Sequence, residues 1–146
     1  MILSTPYDDG NIFARILRGE IPSIKVFEDP VALAFMDIFP QSEGHTLVIP
    51  KSLGATNILD VDSGTLSALI ERVQLVAKAV ADALNPDGVR IMQFNGAPAG
   101  QTVFHLHFHI IPVYDGAPLR SHAVGKADAD RLESLAARIR SAIARI

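Results

Sequence analysis

The sequence predicts an α+β domain, and three observations carry that prediction. An extended run from Gln101 to Pro112 alternates His105, His107 and His109 with Leu106, Phe108 and Ile110. Strict alternation marks a β-strand, because successive side chains point to opposite faces. Several shorter strand-like runs precede it. Two other segments place apolar residues at helical spacing, the longer carrying Leu66, Leu69, Ile70, Val73, Val76, Ala77, Val80 and Leu84.

Composition narrows the class. A chain of 146 residues with 49% apolar and 20% charged side chains can bury the core of one soluble globular domain. A formal charge of -3 argues against a surface that tracks nucleic-acid phosphates, but leaves room for a small anionic ligand. No apolar run approaches the length of a membrane span, and MILSTPYDDG lacks the basic start and apolar core of a signal peptide. A cytoplasmic protein is therefore expected. The lack of any cysteine excludes disulfides, thiol nucleophiles and cysteine-ligated zinc.

In chain order, Asn11 can cap a short helix bearing Ile12, Phe13, Ile16 and Leu17, which Gly19 and Pro22 stop. Ile24 to Glu28 and Val31 to Asp37 read as strands joined by an Asp29-Pro30 turn. Val31, Leu33, Phe35 and Asp37 then share a face, so a carboxylate ends an apolar stripe. Such an acid is either a turn residue before Pro40 or a ligand group at the mouth of a pocket, and spacing alone favours the turn. His45 to Ile49 is a third strand. Its lone leading histidine reads on spacing as a hydrogen-bonded structural group. Asp62 or Ser63 caps the long helix, and Asn85-Pro86-Asp87-Gly88 ends it. Val89 to Phe94 is a fourth strand. The loop Asn95 to Thr102 follows, whose two glycines can turn backbone N–H groups towards an anion. Beyond Pro112 the chain is loop-like, with an incidental His122. A final helix begins with a capping box at Asp130 and Glu133, and carries Leu132, Leu135, Ala136, Ile139 and Ile143. Arg138, Arg140 and Arg145 lie near its end, where positive charge complements the helix dipole.

Three imidazoles on one strand face are potential proton carriers, nucleophiles or metal ligands. Ordinary solvated strand faces vary among Thr, Lys, Glu and Ser, so mere surface cover explains the row poorly. At about 3.3 Å per residue, His105 and His109 attach roughly 13 Å apart, too far for one metal without a sharp bend. Neighbours roughly 6.6 Å apart can converge on one phosphate or one ion. A middle imidazole that attacks, flanked by others that orient and neutralise, is the more natural arrangement.

At HLHFHII the chain resembles the histidine triad (HIT) family, whose motif is His-x-His-x-His-x-x with x apolar. The likeness runs from Asn11 to Pro112 through NIFARILRGEIP, FMDIFPQSEGHTLVIPKS and the Asn95 to Thr102 approach. It is greatest to the bacterial, nucleoside-phosphoramidase-like branch. The resemblance implies an α+β fold with an antiparallel sheet of about five strands, in agreement with the elements above. It implies one HIT domain over 1–146, with 113–146 a linker and C-terminal helix, and a homodimer as the working form.

The resemblance also assigns roles. His107 would be the covalent nucleophile, His109 would contact the phosphate oxygens, and His105 would orient and tune the row. His45 would support the triad. Asn95, Gly100, Gln101 and Thr102 match the phosphate-binding approach. Asp37, with Ile38 beside it, matches the ribose-binding carboxylate, against the preference from spacing. Ile12, Phe13, Ile16 and Phe35 would wall the base pocket. The implied activity is hydrolysis or transfer at the α-phosphate of a purine nucleoside phosphoramidate or related mononucleotide ester, through a nucleotidyl-histidine and without metal or cofactor. A dinucleoside polyphosphate hydrolase, a metal-dependent hydrolase and a non-catalytic nucleotide-binding module remain as alternatives. No nucleic-acid or membrane partner is implied. One departure stands out. Many bacterial relatives carry Cys-x-x-Cys where this chain has Asn11-Ile12-Phe13-Ala14, and hold a structural zinc there with histidines. That zinc site is expected to be absent here, leaving His45 and His105 to hydrogen bonding.

Overall fold

Asn11 does cap the first helix: its Oδ1 accepts the N–H groups of Phe13 and Ala14 at 3.0 Å each, opening α1 (Ile12–Leu17). The computed structural model describes residues 5–121 and 125–146, so His122 lies outside the described residues. Strands β1 (Lys25–Glu28) and β2 (Ala32–Met36) form a hairpin. Asp29 closes it, its Oδ1 accepting the N–H groups of Val31 and Ala32 while Oδ2 receives Nε of Arg72 at 2.9 Å. With β3 (Thr46–Pro50), β4 (Gly88–Met92) and β5 (Phe108–Val113) they make one five-stranded sheet, ordered β1-β2-β3-β5-β4, with every neighbouring pair antiparallel.

The alternation of the strands sorts the core into two layers. Ala32, Ala34, Met36, Val48, Phe108 and Ile110 pack with Leu69, Val73 and Val76 of α2 (Ser63–Leu84) and Leu132, Leu135 and Ile139 of α3 (Ala129–Ala144). Leu33, Phe35, Leu47 and Ile49 form the other layer, which Phe13 of α1 covers. Each fully buried large aliphatic side chain contributes about 1.5–3 kcal/mol, so the layer shared with α2 and α3 supplies most of the apolar stabilisation. No helix among the described residues is long and apolar enough to cross a membrane.

Four expectations change. The histidine run is not a strand throughout, because β5 begins only at Phe108 and leaves His105 and His107 in a bent approach outside the sheet. In that approach the Leu106 N–H donates to Ala55, at 2.9 Å, instead of to a neighbouring strand. Ile70, assigned to the apolar stripe of the long helix, is 45% exposed. The cap of α3 is Asp128, whose carboxylate accepts from the Arg131 N–H, and not Asp130. Lastly, the last turn of α3 holds no basic residue: Arg138 donates to the Ala83 carbonyl near the end of α2, and Arg145, the C-cap, pairs with Asp82, so these cations bind α3 to α2.

Candidate active site

Phe35, Leu47, His109 and Met92 stand side by side across β2, β3, β5 and β4, because the antiparallel registers place them opposite one another. Over this row α1 lays Ile12, Phe13 and Ile16, and a cavity of about 200 Å³ remains between helix and sheet. Its wall is apolar at one end, with Phe35, Leu47 and Ile38 joining the α1 residues. Asp37, Thr102, His107 and His109 line it as well. No lysine or arginine does so among the described residues. The structure thus brings together Ile12, Phe13, Ile16, Phe35, Asp37, Ile38, Thr102, His107 and His109. Leu47, Phe39 and Val103 also line the wall, with Ile21, Pro22, Ser23 and Met36, and were not singled out as site residues from the sequence. Leu47 had a usable signal, since it shares a face with His45 at alternating spacing.

Hydrogen-bond partners fix which ring nitrogen of each histidine carries a proton. His107 Nδ1 lies 2.7 Å from the His105 carbonyl, which can only accept, so Nδ1 carries the hydrogen and the lone pair resides on Nε2. The Gln41 N–H donates to His45 Nδ1 at 3.0 Å, which puts the proton of a neutral His45 on Nε2. That nitrogen is 2.9 Å from His109 Nδ1, so His109 accepts there and carries its own hydrogen on Nε2. A backbone amide thereby sets two rings in series. The rings of His107 and His109 are 5.0 Å apart, and Phe13 meets His107 edge-on at 5.0 Å. One nucleophilic nitrogen and one N–H donor follow as neighbours.

Asp37 is 6% exposed; its Oδ1 accepts the Phe39 N–H at 2.8 Å and its Oδ2 lies 3.4 Å from His45 Nε2. It is a turn residue and a cavity residue together. His105 is fully buried behind the cavity wall. Burial pushes its imidazole down to about 4; the Pro50 carbonyl offsets part of this, and His107 adds to the lowering. His105 is therefore neutral near pH 7, and its contact with His107 is made by its backbone carbonyl.

Asn95, Gly100 and Gln101 do not reach the cavity wall. The Gln101 amide donates to the carbonyls of Thr56 and Val103 and accepts the Gly96 N–H. Asn95 accepts the Ile58 N–H and exchanges hydrogen bonds with Gln93. The Gly100 N–H closes a short 3₁₀ turn, Ala97–Ala99, on the Ala97 carbonyl. Gly96 and Gly100 flank that turn with φ of 93° and 111°, a backbone that glycine adopts most readily. These residues shape the loop that delivers Thr102 to the cavity.

Ligand atoms of Asp37, His45 and His109 lie within 4.8 Å of one another, a spacing a cation could bridge. The donor set does not fit one. With His45 Nδ1 already accepting the Gln41 N–H, a metal at Nε2 would require the ring to lose both protons. At the positions of the cysteines in zinc-holding relatives, Asn11 has its oxygen engaged by two N–H groups and Ala14 offers no ligand atom. His105 Nδ1 there meets the Tyr7 hydroxyl at 2.9 Å. These residues do not fit a zinc of that type.

With the geometry in place, the sequence model of the HIT domain family matches residues 18–116. Among solved structures, the chain is similar to a Hit-like protein involved in cell-cycle regulation from Bartonella henselae, crystallised with an unknown ligand. Identity is 51% and the TM-score 0.86, over 93% of this chain and 98% of that one. A zinc-bound histidine triad family protein from Mycobacterium smegmatis is 34% identical, with a TM-score of 0.81 over 93% and 94% of the two chains. Adenosine 5'-monophosphoramidase hnt1 of Schizosaccharomyces pombe is 41% identical over 101 residues, 69% of this chain and 72% of the relative.

Proposed function

Because the chain belongs to the HIT family, we propose that it is a nucleotide hydrolase or transferase, cleaving at the α-phosphate of a purine nucleoside phosphoramidate or related mononucleotide ester. The observation that carries this reading is the 2.7 Å bond from His107 Nδ1 to the His105 carbonyl, in a ring that lines the same cavity as Asp37. That bond keeps the lone pair on Nε2, as attack on phosphorus requires. Nε2 of His107 forms a bond to the α-phosphorus as the bond to the leaving nitrogen breaks, and the departing amine takes up a proton from solvent. Water then cleaves the nucleotidyl-histidine, giving the nucleoside monophosphate, restoring the imidazole and returning a proton to solvent. The His109 Nε2–H and Thr102 supply donors for charge gathering on the phosphoryl oxygens. Asp37 accepts from the ribose hydroxyls, and Phe13, Ile12, Ile16 and Phe35 hold the base. His105, Asn95, Gly100 and Gln101 act behind the wall, holding the approach in shape.

A dinucleoside polyphosphate would bring several more negative charges to a cavity whose described wall holds no lysine or arginine, so the single-phosphate substrate is the better match. On the same reading the protein works in the cytoplasm as a homodimer. The test is a quenched reaction with a labelled adenosine 5'-phosphoramidate, followed by mass spectrometry. A nucleotide adduct on His107, absent from His107→Ala, is the expected result. Turnover with no adduct on that residue would refute the covalent route.

A further inference from the structure

We propose that Tyr7 is a positioning residue for the nucleophilic histidine: its phenol, with the Asn11 amide, holds the His105 ring in a metal-free latch that aims the carbonyl gripping His107. The inference rests on the reading of His107 as nucleophile and adds a residue from a part of the chain that no motif covers. Tyr7 and His105 are 98 positions apart, yet the hydroxyl lies 2.9 Å from Nδ1 and the rings tilt together at 5.7 Å. Asn11 cannot be turned over, because its oxygen accepts both the Phe13 and the Ala14 N–H. Its nitrogen is therefore the atom 3.5 Å from the same Nδ1, and it also donates to the Asp8 carbonyl at 2.8 Å.

The Asn11 N–H can only donate, so it selects the tautomer in which Nδ1 accepts from both groups and the ring proton sits on Nε2, a buried atom with no partner in good hydrogen-bond geometry among the described residues. The segment that supplies them is itself fixed: the Asp8 carboxylate accepts the Gly10 N–H, and the Asp8 carbonyl accepts the Asn11 N–H. From this knot two paths lead to His107. One is the carbonyl of the latched residue, 2.7 Å from His107 Nδ1. The other is Phe13, in the helix that Asn11 caps, whose ring is edge-on to both His105 at 6.1 Å and His107 at 5.0 Å. Losing the phenol donor lets the His105 ring turn, and both supports of the nucleophile move with it. Zinc has no place in this arrangement, since the nitrogen it would take is the one receiving the phenol.

The full chain is compared with Tyr7→Phe, which removes one oxygen and keeps the ring contact. With adenosine 5'-phosphoramidate, kcat is expected to fall roughly tenfold while KM stays within about twofold, the scale of one lost hydrogen bond expressed in orientation. In 15N spectra of histidine-labelled protein, the unsubstituted chain should show His105 with its proton on Nε2, unaltered by equimolar zinc. In Tyr7→Phe the His105 Nδ1 resonance and the His107 Nδ1–H should both shift. An unshifted His107 resonance, a variant with full kcat, or a zinc-dependent change at His105 in the unsubstituted chain overturns the latch. If the unsubstituted chain turned over no phosphoramidate, the functional reading would fall alone, and the His107 resonance in the two proteins would still decide the latch.

Discussion

At Asp37 one carboxylate oxygen accepts the turn N–H of Phe39 while the residue also lines the cavity, so the two readings that spacing set against each other describe one residue. Asp37→Ala should lower kcat/KM for ribonucleoside substrates by roughly 10- to 100-fold and affect 2'-deoxy substrates less, because only the former offer a 2'-hydroxyl to the buried carboxylate. Equal losses on both sugars would leave it a turn residue alone. His105 makes a different demand. Its imidazole ionises near 4 in the folded chain against an ordinary 6.5, so between those values the unfolded chain binds more protons. The stability it permits is complete above about pH 6.5 and is lost as pH falls towards 4, by about 3 kcal/mol in all. Urea unfolding at pH 7 and 4.5 should therefore show a steeper decline for the wild type than for His105→Asn, and parallel declines would refute the assignment. His107 and His109 were legible because an alternating row of imidazoles has few bland explanations. Tyr7 was not, because a tyrosine ahead of an Asp-Asp-Gly turn gives no sign of a partner 98 residues away.

The helices and the first four strands were legible to within a few residues, since burial on two sheet faces and on one helix stripe writes periods of 2 and 3.6 into the chain. The histidine run was read as too long a strand for a physical reason. The chain bends at residues 103–105, and residues 101–107 bond to the stretch around Ala55 and Thr56 instead of to β3. Alternation in a sequence suggests a strand and cannot report the bend or the partner. Asn95 and Gln101 bond within the loop and do not line the cavity, because an amide suited to binding phosphate is equally suited to holding a loop. Gly44, just before His45, was given no role. Its φ of 94° lies in the left-handed region, and a Cβ there would come within 2.2 Å of Leu84 Cδ1 and 3.1 Å of Pro112. Gly44→Ala is expected to cost about 1–3 kcal/mol in urea unfolding, and a variant as stable as the parent would contradict this.

At the scale of the molecule, the HIT-matching residues end at 116, whereas the core does not. Leu132, Leu135, Ala136, Ile139 and Ala142 of α3 are buried in the layer shared with α2 and the sheet. Arg131 grips the Glu43 carboxylate with two bonds, of 2.9 and 2.8 Å, beside the hairpin that carries Asp37 and His45. A chain ending after Asp115 should lose about 5 kcal/mol or more, enough to erase a typical domain's margin, and a cooperative melt at the parent's temperature would show the last helix to be an accessory. The sequence showed the helix but not its attachment, since spacing identifies an apolar stripe without naming what it covers.

Gln41 joins these scales. Its carbonyl receives the Arg120 N–H at 2.7 Å, and its own N–H is the donor that sets His45, and through it His109. The connection between the tail of the chain and the imidazoles is made of main chain only. Replacing side chains one at a time would pass over it, because every substitution at position 41 except proline keeps the same peptide. Apart from proline, only chemistry on the backbone, such as an ester in place of the amide that carries this N–H, would cut the link.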